Sequence, residues 1–208
     1  MVSDLFGEQH IEALVVLGVV RSYPKNTILF QEGDASDQIF VLLEGKLKVF
    51  LADSDGKEIV VDMLSPRQYF GEMALDGESR SASVMTIVAS KLAVIQRDDF
   101  KAFLAQNSDA AFALIVTLIR RARNLTRTIG NLALLDVYGR VARLLIDNAT
   151  EESGQLVVTE KMSQHEIAQR IGSSREMVSR ILGDLKVGGY ITMDGRKVVI
   201  KQNLPKHW

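Results

Sequence analysis

The apolar residues in the first half of the chain recur in short, partly alternating runs rich in β-branched residues, the pattern of β-strands. The runs are Thr27–Phe30, Gln38–Leu43, Lys46–Leu51, Glu58–Leu64, Ser83–Val88 and Lys91–Gln96. Turn sequences such as Glu32-Gly33-Asp34 and Asp53-Ser54-Asp55-Gly56 separate them, and a short amphipathic segment from Leu5 to Leu17 precedes them. Many short strands at this spacing predict an antiparallel sandwich or barrel.

From about Asp98 to Asp136 the apolar spacing becomes helical, in a stretch without proline and with one glycine. Six apolar residues recur there at alternating steps of three and four: Ile115, Leu118, Ala122, Leu125, Ile129 and Leu132. Such a narrow stripe is typical of a helix that packs against a copy of itself, whereas a helix packed on its own domain usually has a wider apolar face. The spacing therefore favours a dimer seam, with packing inside one domain as the alternative.

The last third of the chain has the pattern of a winged helix-turn-helix. Short helices are predicted at Val141–Ile146, Ser163–Ile171 and Ser174–Val187, with Gly172 ending the second of them. A hairpin with an Asp194-Gly195 turn follows. Two short helices joined by a glycine-containing turn and followed by a hairpin describe this DNA-binding motif.

Local capping signals support these helix boundaries. Ser163 and Glu166 form a capping box, in which a serine hydroxyl and a glutamate satisfy each other's free backbone amides. Ser173 and Ser174 both offer a cap for the next helix, and Ser173 with Glu176 has the spacing of a second capping box.

The second helix of the motif presents polar residues opposite its apolar stripe. Arg175, Glu176, Ser179 and Arg180 share that face. Arginine can form two hydrogen bonds to a guanine edge, and glutamate can accept from cytosine. The alternative is an ordinary solvated helix face with an ion pair between Glu176 and Arg180.

A second stretch, from Phe70 to Val84, suggests an anion site. Gly71 would let backbone amides approach a ligand, and a short helix beginning there would point free N–H groups at an anion. Arg80, eight residues beyond Glu72, can neutralise a phosphate, and Ser81 adds a neutral donor.

Composition narrows the classes of function. The chain has no cysteine, which excludes disulfides, thiolate metal sites and a cysteine nucleophile and fits a cytoplasmic protein. It has no long uncharged apolar span and no signal-peptide pattern. No nucleophile elbow, zinc motif or P-loop occurs, so we predict no enzyme, no catalytic residues and no metal. Residues 137–208 hold 11 Lys and Arg against 8 Asp and Glu, an excess that hints at a polyanionic partner.

The segments Gln164–Ala168 and Ser174–Leu182 resemble the recognition motif of the cyclic-AMP receptor protein family, and Gly130–Val137 with Gly139-Arg140 resembles its hinge. The resemblance runs from about Tyr23 to the C-terminus. It implies an α+β protein with an antiparallel β-roll that binds cyclic nucleotides (1–107), a dimerisation helix (108–136) and a winged helix-turn-helix (137–208). It also implies a homodimer that reads a palindromic TGTGA-like site in double-stranded DNA. The expected DNA-binding residues are Gln164, Ser174, Arg175, Glu176, Ser179 and Arg180.

The Phe70–Val84 segment resembles the phosphate-binding cassette of the same family. By that resemblance Gly71 and Glu72 hold a ribose hydroxyl, while Arg80 and Ser81 hold the cyclic phosphate. The expected cyclic-nucleotide residues are Gly71, Glu72, Met73, Ala74, Arg80, Ser81, Ala82 and Thr126.

One position departs from the family pattern. Where the cyclic-AMP receptor protein has a Thr-Ser pair that contacts adenine, this chain has Leu125 and Thr126. Cyclic AMP is the first choice of effector and cyclic di-GMP the second; a third reading is a constitutive DNA-binding protein with a vestigial sensor. The ligand is expected to bias two arrangements about a hinge at Asp136–Gly139. RNA polymerase is a possible partner, through a loop at Thr150–Leu156.

Overall fold

The computed structural model of the chain describes residues 8–152, 154–159, 162–194 and 197–204. Contacts divide the chain into two compact units. The first comprises Met1–Gly56 and Val60–Asn124, and the second comprises Lys57–Ile59 and Leu125–Trp208. The division falls inside the long helix, so this helix contributes to both units.

Among the described residues, two antiparallel four-stranded sheets lie almost entirely in the first unit. The first sheet has the order β1 (Val19–Tyr23), β8 (Ser90–Gln96), β3 (Gln38–Glu44) and β6 (Tyr69–Phe70). The second has the order β2 (Ile28–Phe30), β7 (Ser83–Thr86), β4 (Leu47–Ala52) and β5 (Glu58–Leu64). The predicted antiparallel β-roll is confirmed. The sequence pattern missed β1, most of which is exposed, and β6, which has two residues.

The side chains of β3 alternate between the two faces of its sheet, so this strand contributes to two hydrophobic clusters. Phe40 and Leu42 pack with Val94 and Leu47 in one buried cluster. Their neighbours Ile39 and Val41 point to the other face of the sheet, because successive side chains in a strand alternate. There they join a second cluster that includes residues of two helices, α1 (Glu8–Leu17) and α2 (Arg97–Gln106).

Gly45, in the turn between β3 and β4, occupies a position that only glycine fits. Its φ is +107°, and a Cβ there would lie 2.2 Å from Oγ of Ser90. Any side chain would therefore both strain the backbone and collide with β8.

The predicted helix from Asp98 to Asp136 is two helices. α2 ends at Gln106 and α3 spans Ser108–Leu134, with a bend of 114° between them. At the break, the Asn107 side chain donates to the carbonyl of Phe103 at 2.8 Å, which satisfies one of the orphan acceptors of α2. In the part of the chain that the structure describes, no single helix is long and apolar enough to cross a membrane; the bent pair reaches that composition only when taken together.

The buried residues of α3 lie near its start, at Ala110, Ala113, Leu114 and Thr117. The predicted seam is a different stripe. Five of its members, Ile115, Leu118, Ala122, Leu125 and Ile129, are exposed in the single chain, and Leu132 is half-buried.

Among the described residues, the second unit combines the last part of α3 and three further helices with one sheet. The helices are α4 (Val137–Asp147), α5 (Gln164–Ile171) and α6 (Arg175–Val187). The sheet has the order β11 (Ile191–Asp194), β12 (Lys197–Ile200), β10 (Gln155–Val158) and β9 (Ala149–Glu152). The predicted hairpin is confirmed as β11–β12, although Gly195 and Arg196 of its turn lie outside the described residues.

Three local expectations need correction. The stretch Thr150–Leu156 is not a loop, because β9 and β10 pair across it from Ala149↔Val158 to Glu152↔Gln155; its contact with polymerase stays a prediction. Gly139 is not part of an interhelical segment. It lies buried inside α4, where its N–H donates at 2.7 Å to the capping Asp136, so the break between α3 and α4 covers Leu135 and Asp136.

Ser173 does not cap α6. The adjacent Ser174 does, by accepting from the backbone N–H of Met177 at 3.2 Å. The first predicted capping box is confirmed, since Ser163 and Glu166 satisfy each other's amides at the start of α5.

Candidate effector site and nucleic-acid interface

Three of the cassette residues, Glu72, Met73 and Ala74, lie on a short 3-10 helix, Glu72–Asp76, which follows β6 after one residue. Gly71 precedes it in a left-handed conformation. The returning segment is fastened to the turn after β2 by two backbone hydrogen bonds, from Arg80 N to Asp34 O at 2.9 Å and from Gly33 N to Arg80 O at 2.8 Å. The predicted short helix is confirmed, and the fold brings Gly71 and Arg80 together although nine positions separate them.

Arg80 is a buried cation held by neutral groups. Its side chain donates to the carbonyl of Gln38 at 2.8 Å and to that of Gly71 at 3.3 Å. The residue is only 6 % exposed, and Nε is buried without a hydrogen-bond partner. Within the described ranges no carboxylate lies within 4.0 Å of it. Burial lowers the pKa of Arg80 from its ordinary value, although the more distant Asp37, Asp34 and Glu72 oppose that effect.

Gly71 makes the close approach of Arg80 possible. Its φ is +80°, and a Cβ there would lie 2.8 Å from Nη1 of Arg80 and 3.1 Å from the Gln38 carbonyl oxygen. The sequence predicted that Gly71 admits a ligand to the backbone. The structure adds that it admits the arginine side chain itself.

Glu72 is the buried acidic member of the site. It is 6 % exposed, and its Oε1 accepts from Nη1 of Arg121 at 2.6 Å. Arg121 also donates to the Tyr69 carbonyl at 2.8 Å and lies over the Tyr69 ring. Burial would lower the pKa of Arg121, but the Glu72 carboxylate outweighs it and the pKa is raised. The other oxygen of Glu72, Oε2, is buried with no hydrogen-bond partner.

Arg121 was missed as a site residue by sequence reasoning, which placed it only beside the apolar stripe of the helix. Its partner is 49 positions away. No local signal shows that this arginine, rather than another on α3, reaches Glu72.

The remaining cassette residues differ in accessibility. Met73 is 53 % exposed, and its sulfur accepts from the Ser81 hydroxyl at 3.1 Å. Ala74 is buried and Ala82 half-buried. Thr126 belongs to the second unit, where it is exposed on α3.

In the second unit, α6 presents one polar face. Val178, Ile181 and Leu185 are buried, whereas Arg175, Glu176, Ser179 and Arg180 are exposed on the other side of the helix. A groove of about 710 Å³ collects five of the six predicted DNA-binding residues. They are Gln164, Arg175, Glu176, Ser179 and Arg180. Ser174 is exposed at the start of the helix and serves as its cap.

The charged groups of this face are available to a partner. In the part of the chain that the structure describes, Glu176 and Arg180 form no ion pair, and Arg180 instead contacts the sulfur of Met177 at 2.9 Å. An exposed face whose cations are not neutralised by the protein itself suits a polyanion.

A ligand-binding β-roll and a helix-turn-helix in one chain define the class of ligand-responsive DNA-binding regulators. Two family models match, the cyclic nucleotide-binding domain over residues 20–107 and the Crp-like helix-turn-helix domain over residues 139–203.

Relatives span nearly the whole chain. It is 32 % identical over 186 residues to a CRP-like cAMP-activated global transcriptional regulator of Mycobacterium tuberculosis, covering 87 % of this chain and 83 % of that protein. It is 30 % identical over 203 residues to the cAMP-activated global transcriptional regulator Vfr of Pseudomonas aeruginosa, covering 92 % and 94 %. A solved structure of the c-di-GMP responsive global regulator CLP of Xanthomonas campestris matches with a TM-score of 0.76 and 29 % identity, covering 92 % of this chain and 98 % of that one.

The chain therefore belongs to the cyclic-AMP receptor protein family of bacterial transcription regulators. It carries the cyclic nucleotide-binding domain and the DNA-binding helix-turn-helix of that family, whose members are regulators and not enzymes.

Proposed function

We propose that the protein is a transcription regulator that binds cyclic AMP in the first unit and, as a homodimer, reads a palindromic TGTGA-like site. The observation that carries the proposal is the buried guanidinium of Arg80. An arginine taken out of water normally has an anionic partner, because desolvating a charge costs several kcal/mol. Arg80 has only carbonyl and ring partners among the described residues, and a free Nε. A cyclic phosphate would supply the missing negative charge through paired hydrogen bonds.

Glu72 supports the same ligand class. Its unpartnered Oε2 is an acceptor that a ribose hydroxyl can satisfy, while Arg121 holds the other oxygen in place. A cation and a hydroxyl acceptor in one cassette match the two ends of a ribose cyclic phosphate. Gly71 and Ser81 would contribute a close backbone approach and a neutral donor, and Met73, Ala74 and Ala82 would line the cassette.

Cyclic AMP is preferred over other cyclic nucleotides because the relatives in Mycobacterium tuberculosis and Pseudomonas aeruginosa are cAMP-activated. Two observations favour cyclic di-GMP as the second candidate. The structurally similar CLP regulator is responsive to it, and Leu125 offers no hydrogen bond to adenine at the position preceding Thr126.

Calorimetric titration with cyclic AMP, cyclic GMP and cyclic di-GMP tests the effector. We expect saturable binding of cyclic AMP by the full chain and its loss in Arg80→Gln, which keeps much of the side chain but removes the charge. Saturation by cyclic di-GMP alone would assign the second candidate. If none of the three bound, and operator affinity were the same with and without each, the sensor would be vestigial.

The DNA-binding part of the proposal rests on the exposed face of α6. Arg175→Ala and Arg180→Ala should each weaken binding to a TGTGA palindrome by about 1–3 kcal/mol and relax base preference there, because each removes a bidentate contact to guanine. Lys186→Ala is the matched control, since Lys186 is an exposed cation of the same helix outside the groove. Electrophoretic mobility shifts on matched and scrambled duplexes measure the effect; an equal loss on both would make the arginines phosphate contacts.

A further inference from the structure

We infer that Phe30 is a positioning residue for the effector, because it holds the Arg80 guanidinium in its binding orientation through the face of its ring. The inference rests on the proposed function, in that Arg80 must be the group that meets the ligand's phosphate. Phe30 lies on β2, outside the Phe70–Val84 cassette segment.

The Arg80 guanidinium lies over an aromatic surface built from three strands. Its central carbon is 4.1 Å from the centroid of Phe30 and 5.7 Å from that of Phe40. Phe40 and Phe70 stack with centroids 5.1 Å apart and an interplanar angle of 12°. Phe30 lies 5.6 Å from Phe40 and 6.2 Å from Phe70. We call these three rings the phenylalanine cluster.

The cluster and the backbone constrain different directions of motion of the side chain. The two carbonyl acceptors, Gln38 and Gly71, fix the edge of the guanidinium. These two hydrogen bonds leave the guanidinium free to tilt out of its plane, and contact with the ring of Phe30 restrains that tilt. Phe40 and Phe70 are both buried, so Phe30 in turn rests on a fixed support.

The ring contributes more than apolar contact. A phenylalanine face carries partial negative charge, which attracts a cation that has lost its water. A leucine would fill similar space without that charge. The attraction also uses none of the N–H groups of Arg80, whereas a carboxylate in the same place would compete with the ligand phosphate for them. Phe30 thus holds the cation without neutralising it.

A side chain already held in place binds more tightly, because less rotamer freedom is lost when the ligand arrives. Weakening the ring's negative face should therefore weaken nucleotide binding while the fold is unchanged. Phe50 is a suitable control. It is buried in the same sheet and lies under the ammonium group of Lys48 at 4.4 Å; no ring contact between it and Arg80 occurs among the described residues.

The experiment replaces Phe30 in the full chain by mono-, di- and trifluorinated phenylalanines, with the same series at Phe50. Fluorine withdraws charge from the ring face and changes ring size little. Cyclic AMP is titrated calorimetrically into each protein, and cyclic di-GMP is titrated where cyclic AMP does not bind the unmodified chain. Thermal unfolding follows the fold. Arg80→Gln is measured alongside.

We expect the dissociation constant to rise stepwise with fluorination of Phe30, reaching about 3- to 10-fold for the trifluorinated ring, as a cation–π contact of ordinary strength implies. The Phe50 series should stay flat, and Phe30→Tyr should bind within about twofold of the unmodified chain because its ring keeps a negative face. A flat Phe30 series, with tight binding by the unmodified chain and loss in Arg80→Gln, would overturn the inference alone. Unchanged binding in Arg80→Gln, or no binding of either nucleotide to the unmodified chain, would overturn the proposed function and the inference with it.

Discussion

At the scale of single residues, the candidate effector site contains two buried charges whose partners differ. Glu72 has a direct ionic partner in Arg121 and keeps one oxygen free. Arg80 has neutral partners only, among the residues described. A buried charge with no counter-charge is costly, and an anionic ligand of the kind proposed above would supply the missing negative charge.

Gly71→Ala tests whether the position of the Arg80 guanidinium requires a glycine at residue 71. We expect nucleotide binding to fall at least tenfold, because the new Cβ would lie 2.8 Å from Nη1 of Arg80 and displace it. We also expect a loss of about 1 kcal/mol in unfolding free energy from the left-handed backbone. Gly56→Ala is the matched control. It has a φ of +77° with nothing within 4 Å of the added Cβ, so it should lose only the stability due to the left-handed backbone and keep full calorimetric affinity.

Arg121→Met tests the ionic partner of Glu72. The Glu72 side chain is buried and that of Arg121 is 27 % exposed, so removing Arg121 leaves a buried carboxylate uncompensated. We expect a loss of about 2 kcal/mol in unfolding free energy, less than for a fully buried pair. The double variant Arg121→Met with Glu72→Leu should recover most of that loss, because it removes both charges. Urea denaturation of the two variants measures the difference. If the single variant were as stable as the unmodified chain, Glu72 would be solvated in solution and the pair of little importance.

Residues of the candidate site that are close together in the sequence could be predicted, and those that are far apart could not. Gly71, Glu72 and Arg80 lie within one short motif and could be predicted from it. Phe30 and Arg121 reach the same site only through sheet pairing and helix packing, from positions about fifty residues away, and nothing in their local sequence marks them.

At the scale of elements, local chemistry sets the boundaries that were predicted well. The box of Ser163 and Glu166 is complete within four residues, and it was predicted correctly. Ser173 and Ser174 both fit the capping preference, and only the backbone path decides between them. The strand β9 was missed because it is the polar, largely exposed sequence Ala149–Glu152, which has no alternating apolar pattern. Its partner β10, Gln155–Val158, has only four residues and no alternation either.

Ser174→Ala should destabilise the second unit by about 1 kcal/mol, because the N–H of Met177 loses its acceptor. Ser173→Ala should change stability by a few tenths of that amount, since Ser173 provides no cap. Urea denaturation of both variants gives the comparison. Equal losses would mean that the two serines exchange the capping role in solution.

At the scale of the whole molecule, the predicted seam of α3 is an apolar stripe that the single chain leaves exposed to solvent. Leu125 is 47 % exposed and Ile129 66 % exposed, on a helix whose buried residues end at Thr117. Isolated apolar residues on a surface need no explanation, but a regular series along one helix face predicts a contact with another apolar surface. The spacing of the series matches packing against an identical helix, and a two-fold dimer matches a palindrome.

Leu125→Lys tests this interface, since it would place an ammonium group in the seam of each partner. We expect the dimer to dissociate at micromolar concentration in analytical ultracentrifugation, because burying an unpaired charge costs several kcal/mol. Asn124→Lys is the matched control: it adds the same charge at the neighbouring exposed position off the stripe. The monomeric variant should lose affinity for the palindrome but keep the weak affinity of one recognition helix for a half-site. A Leu125→Lys protein that stayed dimeric and bound the palindrome normally would place the interface on another surface, and the stripe would then need a different partner.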